Sequence, residues 1–420
     1  MDKYKDKQSL PYDGKKIAIL GYGIEGQDAE KYLISKGAKI TILDQKMDVN
    51  YLNDLNNFDV IVRSPGVYRF KPEIVEAEKA GVKITSSIKI FFDECPAKII
   101  GVTGTKGKGT TSTLIYELLK AGGHDVYLAG NIGKPMLELL SVVNDKSYVI
   151  LEMSSFQLID MEVSPHIAVV LNITEDHMDW HKDREEYIEA KKNIVRYQKE
   201  NDYAVLNDDY DLPRSFYKDT LAKVKFPSKY NLSFPEGTKF MLRGEHNLEN
   251  ISAAISVARI LEISESIIIK VVENFKGLEH RLELVATVNG VTFYNDSFAT
   301  GPQPTIAAIN SFTEEETLIL GGSDKGLDYS ELRSVIEKKD NVKNLILIGD
   351  MGEKIGGSIP GKNIINLGKV SIDQIVKKAF EITPKGGVVI LSPSAASFDM
   401  FKNYKERGNQ FKEAVSNLKK

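Results

Sequence analysis

The stretch from Lys98 to Leu114, KIIGVTGTKGKGTTSTL, decides the fold. A β-branched apolar run leads into a glycine-rich loop, and a predicted helix opens directly afterwards. In this context backbone N–H groups and a helix N-terminus bind phosphate, a lysine adds charge, and a threonine hydroxyl can ligate Mg²⁺. The strict spacing G-x-x-x-x-G-K-[ST] is not met, because Val102 stands at its first glycine and Gly109 follows the lysine. The stretch still predicts an ATP site, formed by Gly104, Thr105, Lys106, Gly107, Lys108, Gly109, Thr110 and Thr111.

Length and composition indicate a multidomain protein and give no sign of a nucleic-acid-binding, membrane-spanning or disulfide-linked protein. A chain of 420 residues predicts two or three domains, and a net charge of −4 gives no sign of a nucleic-acid-binding surface. No apolar run approaches the roughly 18 residues of a membrane span, and residues 1–16 contain no apolar signal core. Cys95 is the only cysteine, so an intrachain disulfide is excluded. We expect a cytoplasmic α/β protein and a monomer.

The N-terminal segment begins with a predicted βαβ unit. A strand from Lys16 to Leu20 is followed by Gly21-Tyr-Gly23-Ile-Glu-Gly26, a helix, and a second strand ending at Asp44. Such glycines let a helix N-terminus approach a diphosphate, and the acid can take a sugar hydroxyl or a base edge. A further strand ends in Ser64-Pro65-Gly66, at the sheet edge where ligands bind. The fingerprint leaves an NAD-dependent dehydrogenase as an alternative from another class, although the ATP loop begins before a dinucleotide fold is complete.

Polar side chains follow the apolar strands of the central segment. Glu152 ends one strand, where a carboxylate can hold a metal ion beside the γ-phosphate. The next strand runs into Asn172 to His181, a stretch with too many histidines and acids for core packing. Lys191 lies beside the apolar face of the following helix, where an ordinary exposed lysine is the alternative interpretation. A later helix opens with Asn247 and Asn250, amides able to recognise a base or a ribose.

The C-terminal segment predicts another doubly wound α/β domain. A hairpin with an Asn-Gly turn leads to Asn295, Asp296 and Ser297, and three further strands each end in a polar turn. The last turn, Ser392 to Ser397, is rich in small hydroxyl residues, and basic residues follow it. This pattern is typical of a rim that binds an anion.

The order of these motifs resembles that of the Mur ligases, the ATP-dependent ligases of peptidoglycan precursor synthesis. The resemblance covers almost the whole chain and rests on GTKGKGTT, GNIG, LEMSSFQL, LNITEDHMDWH, EAKKNI, GEHNLEN, LEHRLE, NDSFAT and GGSDKG. The tail LSPSAASFDMFKNYKERGNQF is similar to that of the member that adds glutamate to UDP-N-acetylmuramoyl-L-alanine. A folylpolyglutamate-synthase-like ligase is the second candidate, favoured only by Gly109; those enzymes begin near the ATP loop and lack the N-terminal glycine motif.

The predicted fold is therefore α/β with three domains. They are a Rossmann-like UDP-sugar-binding domain (residues 1–95), a central P-loop ATPase-type domain that binds ATP (96–279), and a Rossmann-like C-terminal domain that binds an amino acid (280–420). The resemblance implies ATP-dependent addition of D-glutamate through an acyl phosphate, with two Mg²⁺ ions.

The resemblance also implies a role for each matching residue. The UDP-sugar would be bound by Gly21, Gly23, Ile24, Gly26, Asp44, Lys46, Ser64, Pro65, Gly66 and Asn131. ATP would also contact Asn247, Asn250, Arg281 and Asp296, and the catalytic residues would be Lys108, Glu152, His177 and Lys191. The metal ligands would be Thr110, Glu152, His177 and a carbamylated Lys191, and glutamate would be bound by Lys325, Ser397 and Tyr404.

One position departs from the pattern. Where the family commonly has lysine in NDSKAT, this chain has Phe298. A basic group near ATP or the acidic substrate is therefore missing from that position, which leaves an L-glutamate-adding variant open beside the D-glutamate enzyme.

Overall fold

The computed structural model describes residues 11–235, 238 and 240–418. Most of the N-terminal segment that was predicted to lack a signal core lies outside the described residues. No helix in the described part of the chain has the length and apolar character needed to cross a bilayer.

The chain divides into two compact units. The first unit comprises residues 1–233 and 249–268, and the second comprises 234–248 and 269–420. The first contains two parallel sheets and the second contains one mostly parallel sheet.

The N-terminal sheet of the first unit has the strand order β2-β1-β3-β4, with every pair parallel. Both faces of this sheet are buried. Alternate residues of β1 point to opposite faces, so that Ile17 and Ile19 pack in one hydrophobic cluster and Ala18 and Leu20 pack in another. Its elements are β1 (Lys16–Leu20), α1 (Ile24–Ser35), β2 (Lys39–Leu43), β3 (Val60–Arg63), α2 (Pro72–Lys79), β4 (Lys83–Thr85) and α3 (Ser87–Glu94).

The central sheet has the order β10-β9-β8-β5-β7-β6 and is also parallel throughout. Its middle strands are buried apolar runs, as expected where helices cover both faces. Its elements are β5 (Lys98–Thr103), α4 (Lys108–Ala121), β6 (Val126–Gly130), β7 (Tyr148–Glu152), α5 (Ser155–Leu158), β8 (Ile167–Val170), α6 (Arg184–Arg196), β9 (Tyr203–Leu206), α7 (Asp211–Ser215) and β10 (Lys223–Lys225). The division between the two units falls within α8 (Glu245–Ile260) and α9 (Glu265–Asn274).

The sheet of the second unit has the order β11-β12-β16-β13-β14-β15, and only β11 and β12 are antiparallel. Their predicted hairpin is confirmed, with positive φ at Asn289 (49°) and Gly290 (87°), the backbone that an Asn-Gly turn favours. The elements are β11 (Glu283–Val288), β12 (Val291–Asn295), α10 (Pro302–Ile309), β13 (Glu316–Gly321), α11 (Ser330–Lys338), β14 (Val342–Ile348), α12 (Gly352–Gly356), β15 (Asn363–Gly368), α13 (Ile372–Ile382), β16 (Val388–Leu391) and α14 (Tyr404–Asn417).

The predicted fold class is confirmed, since parallel α/β sheets occur in each of the three predicted segments. The boundaries at residues 95 and 279 stay predictions.

Candidate active site

The glycine loop between β5 and α4 has the geometry of a phosphate-binding loop. Gly107 precedes α4 with a φ of 85°, and a Cβ there would lie 2.2 Å from the Asn250 side-chain oxygen. Only glycine therefore fits this turn. Lys108 is the first residue of α4, and its Nζ donates to the carbonyl oxygens of Gly104 (3.1 Å) and Thr105 (3.0 Å). The positive end of α4 and a lysine thus lie together at the carboxyl edge of the sheet.

Lys191 reaches the same loop from α6. Its side chain is 2% exposed, and its Nζ donates to Gly104 O (2.9 Å) and Thr103 Oγ1 (3.3 Å). The two predicted catalytic lysines, Lys108 and Lys191, therefore share the carbonyl oxygen of Gly104 as an acceptor. Burial, and next the charge of Lys108, hold the pKa of the Lys191 amine well below its usual value. The alternative of an ordinary exposed lysine is excluded by this burial.

Thr105 connects the glycine loop to the polar segment after β8. Its hydroxyl contacts Tyr187 Oη (2.8 Å) and donates to Thr174 O (3.0 Å), while Thr174 N donates back to it (2.9 Å). Asp176 in this segment forms an ion pair with Lys106 (3.1 Å). His177 has a φ of 58°, a left-handed backbone conformation that is uncommon for residues other than glycine, and its ring packs against Phe156.

The predicted metal ligands supply few anionic groups. Glu152 ends β7 as predicted and is 8% exposed, and Thr110 lies in the first turn of α4. Among the described residues there is no cluster of three or more His, Cys, Asp or Glu side chains that could hold a metal ion. Glu152 and the Thr110 hydroxyl fit one Mg²⁺, which commonly takes one or two carboxylates together with substrate phosphates and water. A second ion fits only if Lys191 becomes an oxygen ligand, because an amine offers no oxygen.

A cavity of about 730 Å³ lies beside the glycine turn of the N-terminal sheet. Nine of the ten residues predicted to bind the UDP-sugar line it: Gly21, Gly23, Ile24, Asp44, Lys46, Ser64, Pro65, Gly66 and Asn131. Gly26 does not line the cavity but is required beside it, since a Cβ there would lie 2.3 Å from Gly21 O. Gly130 ends β6 and Asn131 follows it, so the wall includes the carboxyl end of a strand in the sheet that carries the phosphate loop.

Hydrogen bonds shape this cavity. The Asp44 carboxylate accepts backbone N–H groups from Tyr22 (2.7 Å) and Lys46 (2.8 Å), and these bonds lower the pKa of Asp44. Ser64 Oγ donates to Gly21 O (2.6 Å), which joins the turns after β1 and β3. The remaining wall residues were not predicted from the sequence: Tyr22, Glu25, Gln45, Tyr51, Val67 and Gly130. Glu25 lies inside the glycine fingerprint and could have been noted there, whereas Tyr51 carries no local signal.

A buried ion cluster adjoins the wall of the cavity, because Arg63 donates to the carbonyl oxygens of two wall residues, Ser64 and Val67. Asp160 accepts from Arg63 (3.2 Å), Arg69 (3.0 Å) and Lys89 (3.2 Å). Arg63 also donates to the carbonyl oxygens of Val67 (2.9 Å) and Phe156 (3.0 Å). The cluster therefore connects the Ser64–Val67 wall of the cavity to the segment around α5.

In the second unit, the turns after β12, β13 and β16 meet at one sheet edge, because these three strands are parallel neighbours. Ser323 pairs with Ala396, which joins the turn carrying Lys325 to the turn carrying Ser397. Lys325 Nζ contacts Thr300 Oγ1 (3.1 Å), and the Tyr404 ring meets the Phe298 ring edge-on with centroids 4.8 Å apart. Lys325 and Ser397 thus lie on turns of one edge, and Tyr404, the first residue of α14, contacts Phe298 of the turn after β12.

Arg281 stacks on Phe298, with its guanidinium 4.0 Å from the ring centroid. The residues on either side of it have positive φ, His280 at 64° and Leu282 at 48°, so the turn is strained. Asp296, predicted to bind the ribose, holds this turn: its carboxylate accepts from Leu282 N (3.1 Å) and Ser392 Oγ (2.7 Å). Burial raises the pKa of Asp296 to about 7.

The two helix amides predicted to bind ATP lie on different units. Asn250 belongs to the first unit, where its Oδ1 accepts from Thr111 Oγ1 (3.2 Å). Asn247 belongs to the second unit, where its Nδ2 donates to Arg243 O (2.7 Å).

Two family models match the chain. Residues 102–236 match the Mur ligase middle domain, and residues 280–395 match the Mur ligase glutamate ligase domain. A protein of Acetivibrio thermocellus named UDP-N-acetylmuramoylalanine--D-glutamate ligase is 41% identical, over 96% of this chain and 97% of that protein. A protein of the same name from Ruminiclostridium cellulolyticum is 37% identical, over 96% of this chain and 97% of that protein. Another from Clostridium botulinum is also 37% identical, over 99% of each chain.

This chain belongs to the Mur ligase family. Two solved Mur ligases of Thermotoga maritima share the fold. UDP-N-acetylmuramate-alanine ligase MurC has a TM-score of 0.59 at 17% identity, covering 96% of this chain and 99% of that one. MurF ligase in complex with ADP has a TM-score of 0.58 at 20% identity, covering 97% of each chain. The predicted family and enzyme class are confirmed.

Phe298 is the position at which the sequence was expected to carry a lysine. Its aromatic ring lies between Arg281 and Tyr404, at the sheet edge where the predicted glutamate residues gather. The Arg281 guanidinium therefore packs on the aromatic ring that this position carries.

Proposed function

We propose that this Mur ligase uses ATP to join D-glutamate to UDP-N-acetylmuramoyl-L-alanine in peptidoglycan precursor synthesis. The names of the relatives, 37–41% identical over nearly their whole length, support this substrate pair. The observation that carries the proposal is the cavity of about 730 Å³, whose wall combines the N-terminal glycine turn with a loop of the sheet bearing the phosphate loop. A nucleotide-sugar in this cavity lies in the same compact unit as the phosphate loop.

The reaction would proceed through an acyl phosphate. The alanyl carboxylate attacks the γ-phosphate, its oxygen forms the new P–O bond, and ADP leaves. The amine of glutamate then attacks the acyl carbon, and phosphate leaves as the amide forms and the amine loses a proton. Phosphorylation is needed because a free carboxylate is a poor acyl donor.

The residues act in this proposal mainly by position and charge. Lys108 and the N-terminus of α4 would stabilise the charge on the transferring phosphoryl group. Glu152 and Thr110 would hold Mg²⁺, which neutralises phosphate charge when bound. His177 and Lys191 would serve a second ion, with Lys191 carbamylated. The low pKa of the buried Lys191 amine supports carbamylation, since CO₂ reacts with the neutral amine.

The remaining binding roles are proposed on the same basis. Asp44 and Lys46 would lie at the uracil end, and Gly21, Gly23 and Ile24 at the diphosphate. Asn250, Asn247, Arg281 and Asp296 would bind the nucleoside and phosphates of ATP, and Lys325, Ser397 and Tyr404 would bind glutamate. A monomer and a cytoplasmic location, where ATP and UDP-sugars are available, belong to the same proposal.

An ADP-release assay tests the proposed substrates. The protein is supplied with ATP, Mg²⁺ and UDP-N-acetylmuramoyl-L-alanine, and D-glutamate, L-glutamate, alanine, lysine and diaminopimelate are added separately. We expect D-glutamate to support release. L-glutamate alone would favour the variant left open by Phe298, and release with any other amino acid but neither glutamate would contradict the proposal.

The alternatives are tested with two further additions. Tetrahydrofolate in place of the UDP-sugar tests the folylpolyglutamate-synthase-like activity, and a fluorescence titration with NADH tests the dehydrogenase.

With an ¹⁸O-labelled alanyl carboxylate, the acyl-phosphate route transfers one ¹⁸O to inorganic phosphate. Unlabelled phosphate would contradict that route.

A further inference from the structure

Glu25 occupies an unusual position in the wall of the UDP-sugar cavity. It lies in the first turn of α1, between the second and third glycines of GYGIEG. One carboxylate oxygen, Oε1, accepts from Gln157 Nε2 (2.7 Å). The other, Oε2, is buried and has no hydrogen-bond partner within the described residues. A buried ionised oxygen without a partner is costly, whereas a protonated one is much less so.

The charged groups around Glu25 do not offset this cost. The terminal nitrogens of Arg63 on β3 donate to Asp160 and to three carbonyl oxygens, and its buried Nε has no hydrogen-bond partner among the described residues. Asp28, one turn further along α1, adds negative charge, and its own carboxylate accepts from Leu137 N (2.8 Å). Helix α3 contributes the Ser87 hydroxyl, which donates to the Glu25 backbone oxygen (3.3 Å), and its Lys89 pairs with Asp160.

Burial outweighs the other influences on this carboxyl. It raises the pKa of Glu25 to about 7, with a smaller increase from Asp28, against the lowering effects of Gln157 and Arg63. The cavity wall also carries one further acid and one base, Asp44 and Lys46.

A diphosphate in the cavity would compete with an ionised Glu25 for the same positive helix end. Both anions would lie at the N-terminus of α1, where Gly23 offers no side chain to separate them. Like charges at one site disfavour joint ionisation. Diphosphate binding and protonation of Glu25 therefore favour each other.

We propose that Glu25 is a proton-linked binding residue, so that the UDP-sugar binds the form of the cavity in which Glu25 is a neutral carboxylic acid. The proton resides on Oε2, and binding above neutral pH takes it up from solvent. This inference rests on the proposed function of the cavity. Affinity then falls with rising pH above neutrality, by up to about tenfold per pH unit, and is constant under mildly acidic conditions.

The test is calorimetric titration of the full-length protein with UDP-N-acetylmuramoyl-L-alanine between pH 6 and 9. Each pH is measured in two buffers of different ionisation enthalpy, so that the heat reports the protons exchanged. We expect uptake to rise towards one proton per ligand by pH 8 in the wild type. Glu25→Gln mimics the neutral acid, and we expect it to bind without proton uptake and with the same affinity at every pH.

The control is Glu76→Gln, the same change at an exposed site on α2 outside the cavity, which should behave as the wild type. Binding without proton uptake by the wild type would overturn the inference and leave the proposed function intact, even if Glu25→Gln failed to fold. Unchanged proton uptake in Glu25→Gln would assign the proton to another group and also overturn it. Absence of binding at any pH would overturn both.

Discussion

Replacing Asp160 with asparagine removes the negative charge at the centre of the ion cluster that adjoins the cavity wall. The carboxylate contacts Arg63, Arg69 and Lys89, and the Asp160 and Arg63 side chains are 9% and 1% exposed. Breaking a buried pair from one side costs about 3–5 kcal/mol, because the remaining charge is left uncompensated. We expect the lower end, about 3 kcal/mol, since the amide oxygen and the carbonyls of Val67 and Phe156 still accept from Arg63.

The effect of Asp160→Asn depends on pH with a definite sign. Burial alone would raise the pKa of Asp160, but Arg63, Lys89 and Arg69 together lower it below its usual value. A carboxyl with a lowered folded-state pKa stabilises the protein above its unfolded-state pKa, about 4, and loses this contribution as the pH falls through the folded-state value. The difference between wild type and variant should therefore be constant from about pH 5 to 8 and shrink below about pH 4.

Urea unfolding followed by tryptophan fluorescence measures the difference in the free energy of unfolding between wild type and variant, and it reports on the first compact unit. Trp180 is the only tryptophan in the chain and belongs to the first unit. The control is Glu265→Gln, which breaks the exposed ion pair with Arg259 (2.7 Å; side chains 58% and 50% exposed) and should cost less than about 1 kcal/mol. Equal losses in the two variants, or a loss for Asp160→Asn that persists unchanged at pH 3, would refute the reasoning.

Four further predictions concern the active site. Lys108→Ala should lower the rate of ADP release at saturating ATP by roughly 100-fold or more, about 3 kcal/mol, with the urea midpoint unchanged; activity within a few-fold of wild type would contradict the phosphate-loop role. Lys191→Ala should be inactive and partly restored by acetate, and ¹³C-bicarbonate should give a carbamate NMR signal only in the wild type. Lys325→Ala should raise the KM for glutamate far more than that for ATP, and equal increases would count against it. Phe298→Leu removes the ring beneath Arg281 and should raise the KM for ATP roughly two- to five-fold, from a contact of about 0.5–1 kcal/mol, whereas Phe298→Tyr keeps the ring and should not.

The local features of the fold could be predicted from the sequence because they depend on neighbouring residues. Apolar runs ending in glycine or polar residues located β1, β5 and β7, with Glu152 at the end of its strand. Parallel strands place their carboxyl ends at one edge, which is why nine of the ten residues predicted for the UDP-sugar line one cavity. Their roles in binding stay predictions.

What the sequence by itself determined is therefore the order of strands, glycine turns and helices, and the family motifs they carry. Only the tertiary structure decided which distant groups meet. Lys191 and Gly104 are separated by 87 positions, yet their atoms lie 2.9 Å apart, and this burial changes the proton affinity of the amine. In the sequence, Glu25 is an ordinary acid in the first turn of a helix. In the structure, its carboxylate accepts from Gln157, 132 positions away, and burial raises its pKa to about 7. Burial and charge at such sites are sums over the whole neighbourhood in space, and a pattern read along the chain does not contain that neighbourhood.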